Sequence, residues 1–391
     1  MSFEIGTAAD VPDLITKLDA FLCKGHTLDP LYTGAGNGIL AGLIGTAASV
    51  VETITVTFSD AANFTVGGSV SGALGAGTVG NPFACAVCAF TAQAGGTPWG
   101  AGDTISFVGT APWVQLCFST SADGVQYSCW KAPGNDGNSE IFVGVRRKMN
   151  VTGDYDGLRL NAYTSYNAGL SFYGQTGGMT ERGPFLPLLR VGNMPYWFVA
   201  NGRRCVIIVK VSTVYEAAYL GFITPYMDAN SHPYPMLVAG SMAYHTEPAV
   251  DSQNWRFSLL GNNHSTFPKA YPGDSSSYED SYVTRMRRPD GYWSAFGFTG
   301  SVPNMHSGKI IPHQSIGTDL RAGLDGSYPV LPINLRESDP INIWGELDGV
   351  GWCSGHANTV EDLIWQNNIS WLVVQDVYRT SKVSYFAVKL A

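Results

Sequence analysis

Along this chain, apolar and polar positions alternate with period two far more often than with the 3.6-residue period of a helix. One stretch departs from that rule. Asp10 stands where an N-cap belongs, Pro12 falls in the first turn, and Asp13 takes the place of a capping-box acid. Leu14, Leu18, Phe21 and Leu22 follow at helical spacing, and Gly25 reads as the stop. The pattern predicts one amphipathic helix that is too short to fold alone. Its apolar face must dock either on the main body or on another chain, so Leu14, Leu18, Phe21 and Leu22 are candidate interface residues.

From about residue 50 to 111 the texture changes. VETITVTF alternates threonine with Ile54, Val56 and Phe58, and short apolar runs punctuated by glycine pairs follow it. Such punctuation predicts a small inserted β module over 50–111, with 1–49 as helix and lead-in segment. The remainder, 112–391, reads as the main body. In YWFVANGRRCVIIVKV two apolar runs meet at Asn201-Gly202, which predicts a hairpin with a type I′ turn. Val206, Ile207, Ile208 and Val209 are apolar on both faces and suit a central strand. A second hairpin is expected to close the chain, turning at Arg379–Lys382 and returning as VSYFAVKL. Residues 228–310 are rich in Asn, His, Ser, Pro and Tyr and poor in strand patterning, a texture typical of contact loops. The fold expectation is mainly β: a β-sandwich or jelly-roll-like body with a short N-terminal helix and an inserted small β module.

Composition sharpens this picture. A chain of 391 residues needs no disulfide or metal to hold its core. Charged residues make up 14%, against about 25% in an average soluble domain. The deficit is uneven. Between Lys24 and Lys131 there is no Lys or Arg, and the acids are only Asp29, Glu52, Asp60, Asp103 and Asp123. A net charge of −8 argues against nucleic acid as a partner. Hydrophobic content of 45% excludes disorder. Asp10, Asp13, Lys17 and Asp19 interrupt any apolar leader, and the apolar run over 38–51 is too short to span a membrane. Obligate interfaces are depleted of charge, so residues 25–130 are expected to be covered by other subunits.

Candidate chemistry is sparse. The seven cysteines are odd in number and irregularly spaced, which fits buried thiols made in a reducing compartment. Cys85 and Cys88 fall in FACAVCAF, which reads as one strand and would send the two thiols to opposite faces. With no second CxxC, neither a zinc site nor any cofactor is expected. In WGELDG, an extended backbone puts Trp344, Glu346 and Asp348 on one face. Two carboxylates beside an indole suit a sugar site, and inverting glycosidases hold theirs about 6.5–9.5 Å apart. The plainer alternative is a strand end with solvated acids before a turn. Asp154 and Asp156 resemble the start of a calcium loop, but Ser165 stands where its bidentate acid belongs. Ser128-Cys129-Trp130 resembles a thiol-protease segment, yet turn residues follow it rather than a helix. Gly34 to Gly38 lacks the strand and spacing of a phosphate loop, and Cys353 with His356 lacks further ligands. Arg285, Arg287 and Arg288 are the densest basic cluster. They fit either a solvated loop beside Pro289-Asp290-Gly291 or a contact to a carboxylate or phosphate on a neighbour.

Several blocks together resemble virion structural proteins of tailed bacteriophages. They are the opening MSFEIGTAADVPDLITKLDAFL, EIFVGVRR, YWFVANGRRCVIIVKVSTVYEAAYLGF, YPMLVAGS, INIWGELDGVGW and the closing VYRTSKVSYFAVKL. The insert SGALGAGTVGNPFACAVCAFTAQAGGTPWGAGD is similar to glycine-rich β modules of phage capsid and tail proteins. The resemblance implies a non-enzymatic component of the tail (baseplate, tail tip or collar), with no catalytic residues to carry over. It implies residence in the virion after synthesis in the host cytoplasm, with copies of itself and other virion proteins as partners. The alternative is a receptor-binding adhesin that holds bacterial surface glycan through loops 228–310 or the Trp344 face. A glycan depolymerase built on Glu346 is a third reading.

Overall fold

The computed structural model describes residues 2–24, 26–27, 30–46, 50–120, 125–134, 140–149, 155–179, 184–243, 284–293, 299–301, 330–337, 342–355, 358–366, 369–377 and 385–390. The described residues are mainly β, with one short helix among them near the N-terminus. That helix, Val11–Leu22, begins where its signals put it. Asp10 accepts from the Asp13 amide at 2.8 Å, and Asp13 in turn accepts from the Ala9 amide at 2.8 Å. Its apolar face, including Leu14, Leu18, Phe21 and Leu22, is buried in the chain's own main core. These four side chains hold the helix to the body and are not available to another subunit, which corrects their reading as interface residues. The strand Ser2–Asp10, not expected from the sequence, precedes the helix and pairs antiparallel with Val191–Ala200.

The body is a sandwich of three stacked sheets. Its central sheet runs in the order Ser2–Asp10, Val191–Ala200, Arg204–Val211, Val214–Phe222, Met236–Ala239 and Thr284–Met286. One face of it (Phe198, Ile207, Val209, Leu220) packs with the helix and with Val143, Val145, Leu158, Leu160 and Leu186. Those residues belong to an outer sheet of Val114–Thr120, Gln126–Ala132, Ile141–Met149, Tyr155–Tyr163, Pro184–Leu189 and Met242–Ala243. The other face (Trp197, Val199, Val206, Ile208) packs on Leu335, Leu347, Trp352, Val374 and Phe386. These come from the second outer sheet, which includes Leu331–Glu337, Asn342–Trp352, Tyr385–Lys389, Ile369–Gln375 and Leu363–Gln366. A sheet covered on both sides leaves its strands without a solvent face, and Val214–Phe222 is buried throughout, Glu216 included. Most hydrogen-bonded neighbours are consecutive in sequence, the meander form of a sandwich rather than the sheet-to-sheet alternation of a jelly roll.

Two details of the hairpins differ from expectation. The Val191–Ala200/Arg204–Val211 hairpin forms, but neither Asn201 nor Gly202 has positive φ, so its turn is not type I′. Asn201 instead accepts the amides of Arg203 (2.8 Å) and Arg204 (3.0 Å) with its side chain, an Asx turn. The C-terminal hairpin pairs Ile369–Gln375 with Tyr385–Lys389, while its predicted turn lies outside the described residues.

The N-terminal module has a core of its own, built from Ile54, Val56, Phe58, Phe64, Phe83, Phe90, Trp99 and neighbours. One sheet holds Thr104–Thr110, Glu52–Phe58, Asn63–Gly68 and Gly72–Thr78, and the other holds Ile39–Gly45, Cys88–Gln93 and Pro82–Ala84. His26–Thr27, Leu31–Thr33 and Ile39–Gly45 pair into these sheets, so the module's strands begin well before residue 50. Glycine is required at Gly77, where a Cβ would stand 2.5 Å from the Phe64 ring.

Candidate functional site

The strand carrying Trp344, Glu346 and Asp348 is not regular. Pro332 lies opposite Gly351 but Asn334 opposite Glu346, so Asn342–Trp352 carries extra residues at the bulge, where Gly349 has φ +63°. The bulge breaks the alternation. Trp344 packs beside the core under the sheet, while Asp348 is buried against the Asn201 hairpin. Asp348 accepts from Arg203 at 2.7 Å and Asn201 at 3.3 Å, and Arg204 Nε lies 3.5 Å away. This carboxylate is an internal counter-ion, so Asp348 leaves the proposed sugar site. Tyr226, which sequence patterning did not single out, joins it. Its amide donates to the Trp344 carbonyl at 3.0 Å and its hydroxyl to Asn334 Oδ1 at 2.6 Å. Burial first, and then the charge of Glu346, raise the Tyr226 phenol. Tyr226 remains 58% exposed beside half-buried Glu346 and Trp344, and the His232 ring meets the Trp344 indole edge-on at 6.2 Å.

The arginine cluster does not form an outward patch. Arg285 is buried in the edge strand Thr284–Met286, and the Arg287 guanidinium lies over the Tyr234 ring at 5.3 Å. Arg288 pairs with Asp290 at 3.3 Å, beside the predicted turn, where Gly291 has φ +87°. The remaining motifs also resolve into structure. Asp156 is fully buried between Arg147 (2.5 Å) and Arg190 (3.3 Å), an ion-paired strand acid rather than a calcium ligand, and Asp154 lies outside the described residues. Cys129 is buried in a strand, where hydrogen bonding to Cys117 and burial push its thiol up. Cys353 is buried, and His356 lies outside the described residues. No group of three or more His, Cys, Asp or Glu among the described residues is placed to hold a metal ion. No helix among them is long and apolar enough to cross a membrane.

The charge-poor module is where the geometry is most distinctive. Its described carboxylates are used by its own backbone. Asp103 accepts from Gly100 (2.8 Å), Gly36 (2.9 Å) and Ala35 (3.1 Å), and these amides hold its carboxyl below the usual range. The glycine-rich loop at 34–38 thus cradles an anion, but one supplied by the same chain. Burial alone would raise Glu52, yet bonds from the Ser71 hydroxyl (2.6 Å) and amide (2.9 Å) and the Val70 amide (3.0 Å) outweigh it and lower it. Asp60 is lowered by the Asn63 side chain and the Ala62 amide. What remains outward on the larger sheet is uncharged. Thr33, Thr104, Thr57, Thr65 and Ala76 lie opposite one another in one row across it, and Leu31, Ser106, Thr55, Gly67 and Ala73 form the next. A shallow groove of about 780 Å³ runs along this face, lined by Thr53, Thr55, Thr65, Gly67, Ala73 and Gly75 among others.

Compared with known proteins, the chain matches no family model and no curated sequence.

Proposed function

We propose that this protein is a non-enzymatic structural component of a tailed-bacteriophage virion, a tail part that assembles as a homo-oligomer. The observation that carries this reading is the uncharged threonine, glycine and alanine face of the N-terminal module. Short side chains lose little entropy when covered, and a face without charge neither repels its own copy nor demands a specific counter-ion. Phe3 and Ile5, 42% and 58% exposed on the edge strand of the central sheet, add apolar surface that an assembly would cover. The blocks resembling phage virion proteins support this class of particle.

Sedimentation of the full chain over a concentration series, beside Thr55→Lys, is the direct test. Thr55 points outward from the middle of the face, so the lysine leaves the fold intact. The wild type is expected to associate and the variant to stay monomeric. A wild type that remains monomeric at high concentration, with residues 25–130 exposed in the assembled particle, rejects the reading.

A second reading, a glycan-binding adhesin, is favoured by Tyr226 beside Trp344 and Glu346. Aromatic faces flanked by amide and carboxylate groups suit sugar hydroxyls. It predicts that Tyr226→Ala abolishes host-cell binding by the assembled protein. Release of reducing ends that stops in Glu346→Gln would instead make the site a hydrolase.

A further inference from the structure

We propose that Cys85 and Cys88 are a dithiol that closes into a disulfide when the protein meets a low-molecular-weight disulfide oxidant. The run read from sequence as a single strand turns over at these residues. Pro82–Ala84 and Cys88–Gln93 pair antiparallel, with Phe83 opposite Phe90 and Ala84 opposite Ala89. The Cys85 amide donates to the Cys88 carbonyl at 2.9 Å, which closes a four-residue turn. Such a turn brings its end Cα atoms within about 7 Å, and disulfides need about 4.4–6.8 Å. Both thiols therefore lie on one side of the hairpin, with their sulfurs 3.5 Å apart. They also differ in access, since Cys85 is half-buried and Cys88 is buried.

That asymmetry orders the chemistry. The Cys85 thiolate attacks one sulfur of the oxidant, whose S–S bond breaks and releases one thiolate. Cys88 then gives its proton to solvent and attacks Cys85 Sγ, expelling the second thiolate. Both cysteines are oxidised and the oxidant is reduced to two thiols. Burial pushes the Cys88 thiol up, so the closing step quickens as pH rises. The hairpin carries Phe83 and Phe90, whose rings meet at 5.1 Å and pack on Phe64. Closure pins this aromatic cluster. A second pair offers an internal comparison: Cys117 lies directly opposite Cys129, whose hydrogen bond brings the Cys117 thiol down to about 7.

The test uses the native full-length protein with oxidised glutathione near pH 7 and near pH 9, quenched by alkylation and mapped by mass spectrometry. The peptide holding both cysteines should lose two hydrogens and take no alkyl group, faster at the higher pH and after a transient glutathione adduct on Cys85. Amide exchange across residues 82–93 should slow by about tenfold. Cys85→Ser, which leaves the buried thiol in place, should keep Cys88 unmodified. The proposal is overturned if both thiols stay alkylatable, if Cys85 holds a stable adduct at both pH values, or if the only disulfide joins Cys117 and Cys129. It is equally overturned if the closed form arises only in denaturant.

Discussion

His26 shows how one side chain sets a property of the whole molecule. It is buried at the join between helix and module, edge-on to Phe21 at 5.4 Å, with Nε2 donating to the Leu22 carbonyl at 3.1 Å. Burial pulls its imidazole from 6.5 down to about 4. Between those values the unfolded chain binds a proton that the folded chain refuses. Stability is therefore full above the unfolded value and falls as the pH drops toward the folded one, by on the order of 3 kcal/mol. Urea midpoints measured across this window should decline for the wild type and decline less steeply for His26→Gln, which keeps only the loss from lowered carboxylates such as Glu52 and Asp103 at the acid end. An equal decline in both would place the acid sensitivity elsewhere. Nothing in the sequence marks His26 for this role, because its strand partner Thr110 lies far along the chain. The same holds for Asp103, whose partners Ala35 and Gly36 are 68 and 67 residues away. The Cys85–Cys88 turn was hidden for a different reason: Ala86-Val87 carries no turn chemistry, and only the pairing of Phe83 with Phe90 reveals it.

Elements whose signals are local were legible. The helix follows from Asp10, Pro12 and Asp13, and Asp10→Ala should cost about 1 kcal/mol of stability in a chemical melt. Leu18→Ala, in the buried face of that helix, should cost about 2–5 kcal/mol, and a near-neutral result would mean the helix does not dock on the body. The central strand around Val206 was legible too, since Val206 to Val209 is apolar on both faces and leaves no alternation to misread. The WGELDG strand was not. Its alternation fails at Gly349, a bulge set by pairing with Leu331–Glu337, and the carboxylate placed on a sugar face turns inward to Arg203 and Arg204. Removing one member of a buried ion pair strands the other charge. Asp348→Ala should therefore destabilise the fold by about 3–5 kcal/mol, whereas a free surface acid would cost almost nothing. Equilibrium unfolding separates the two outcomes without any assay of activity.

At the scale of the molecule, the described cores divide into a stacked body and a module with its own aromatic centre. The three sheets of the body share the central one, so loss of packing on either face exposes the same strands and the body should unfold as a unit. The module core of Phe58, Phe64, Phe83, Phe90 and Trp99 includes no residue of the body cores. Phe64 meets Phe58, Phe83 and Phe90 at ring distances of 5.7–5.8 Å. Truncating it should cost the module about 3–5 kcal/mol and leave the body untouched. Hydrogen exchange of Phe64→Ala should accordingly rise across residues 52–110 and not across 191–222. In an assembled state that covers the threonine face, the same variant should regain much of its protection, because partners that bind only the folded module stabilise it by mass action. Uniform acceleration over the whole chain would show one cooperative unit. Loss of protection in the module regardless of assembly would show that its face is not the contact surface.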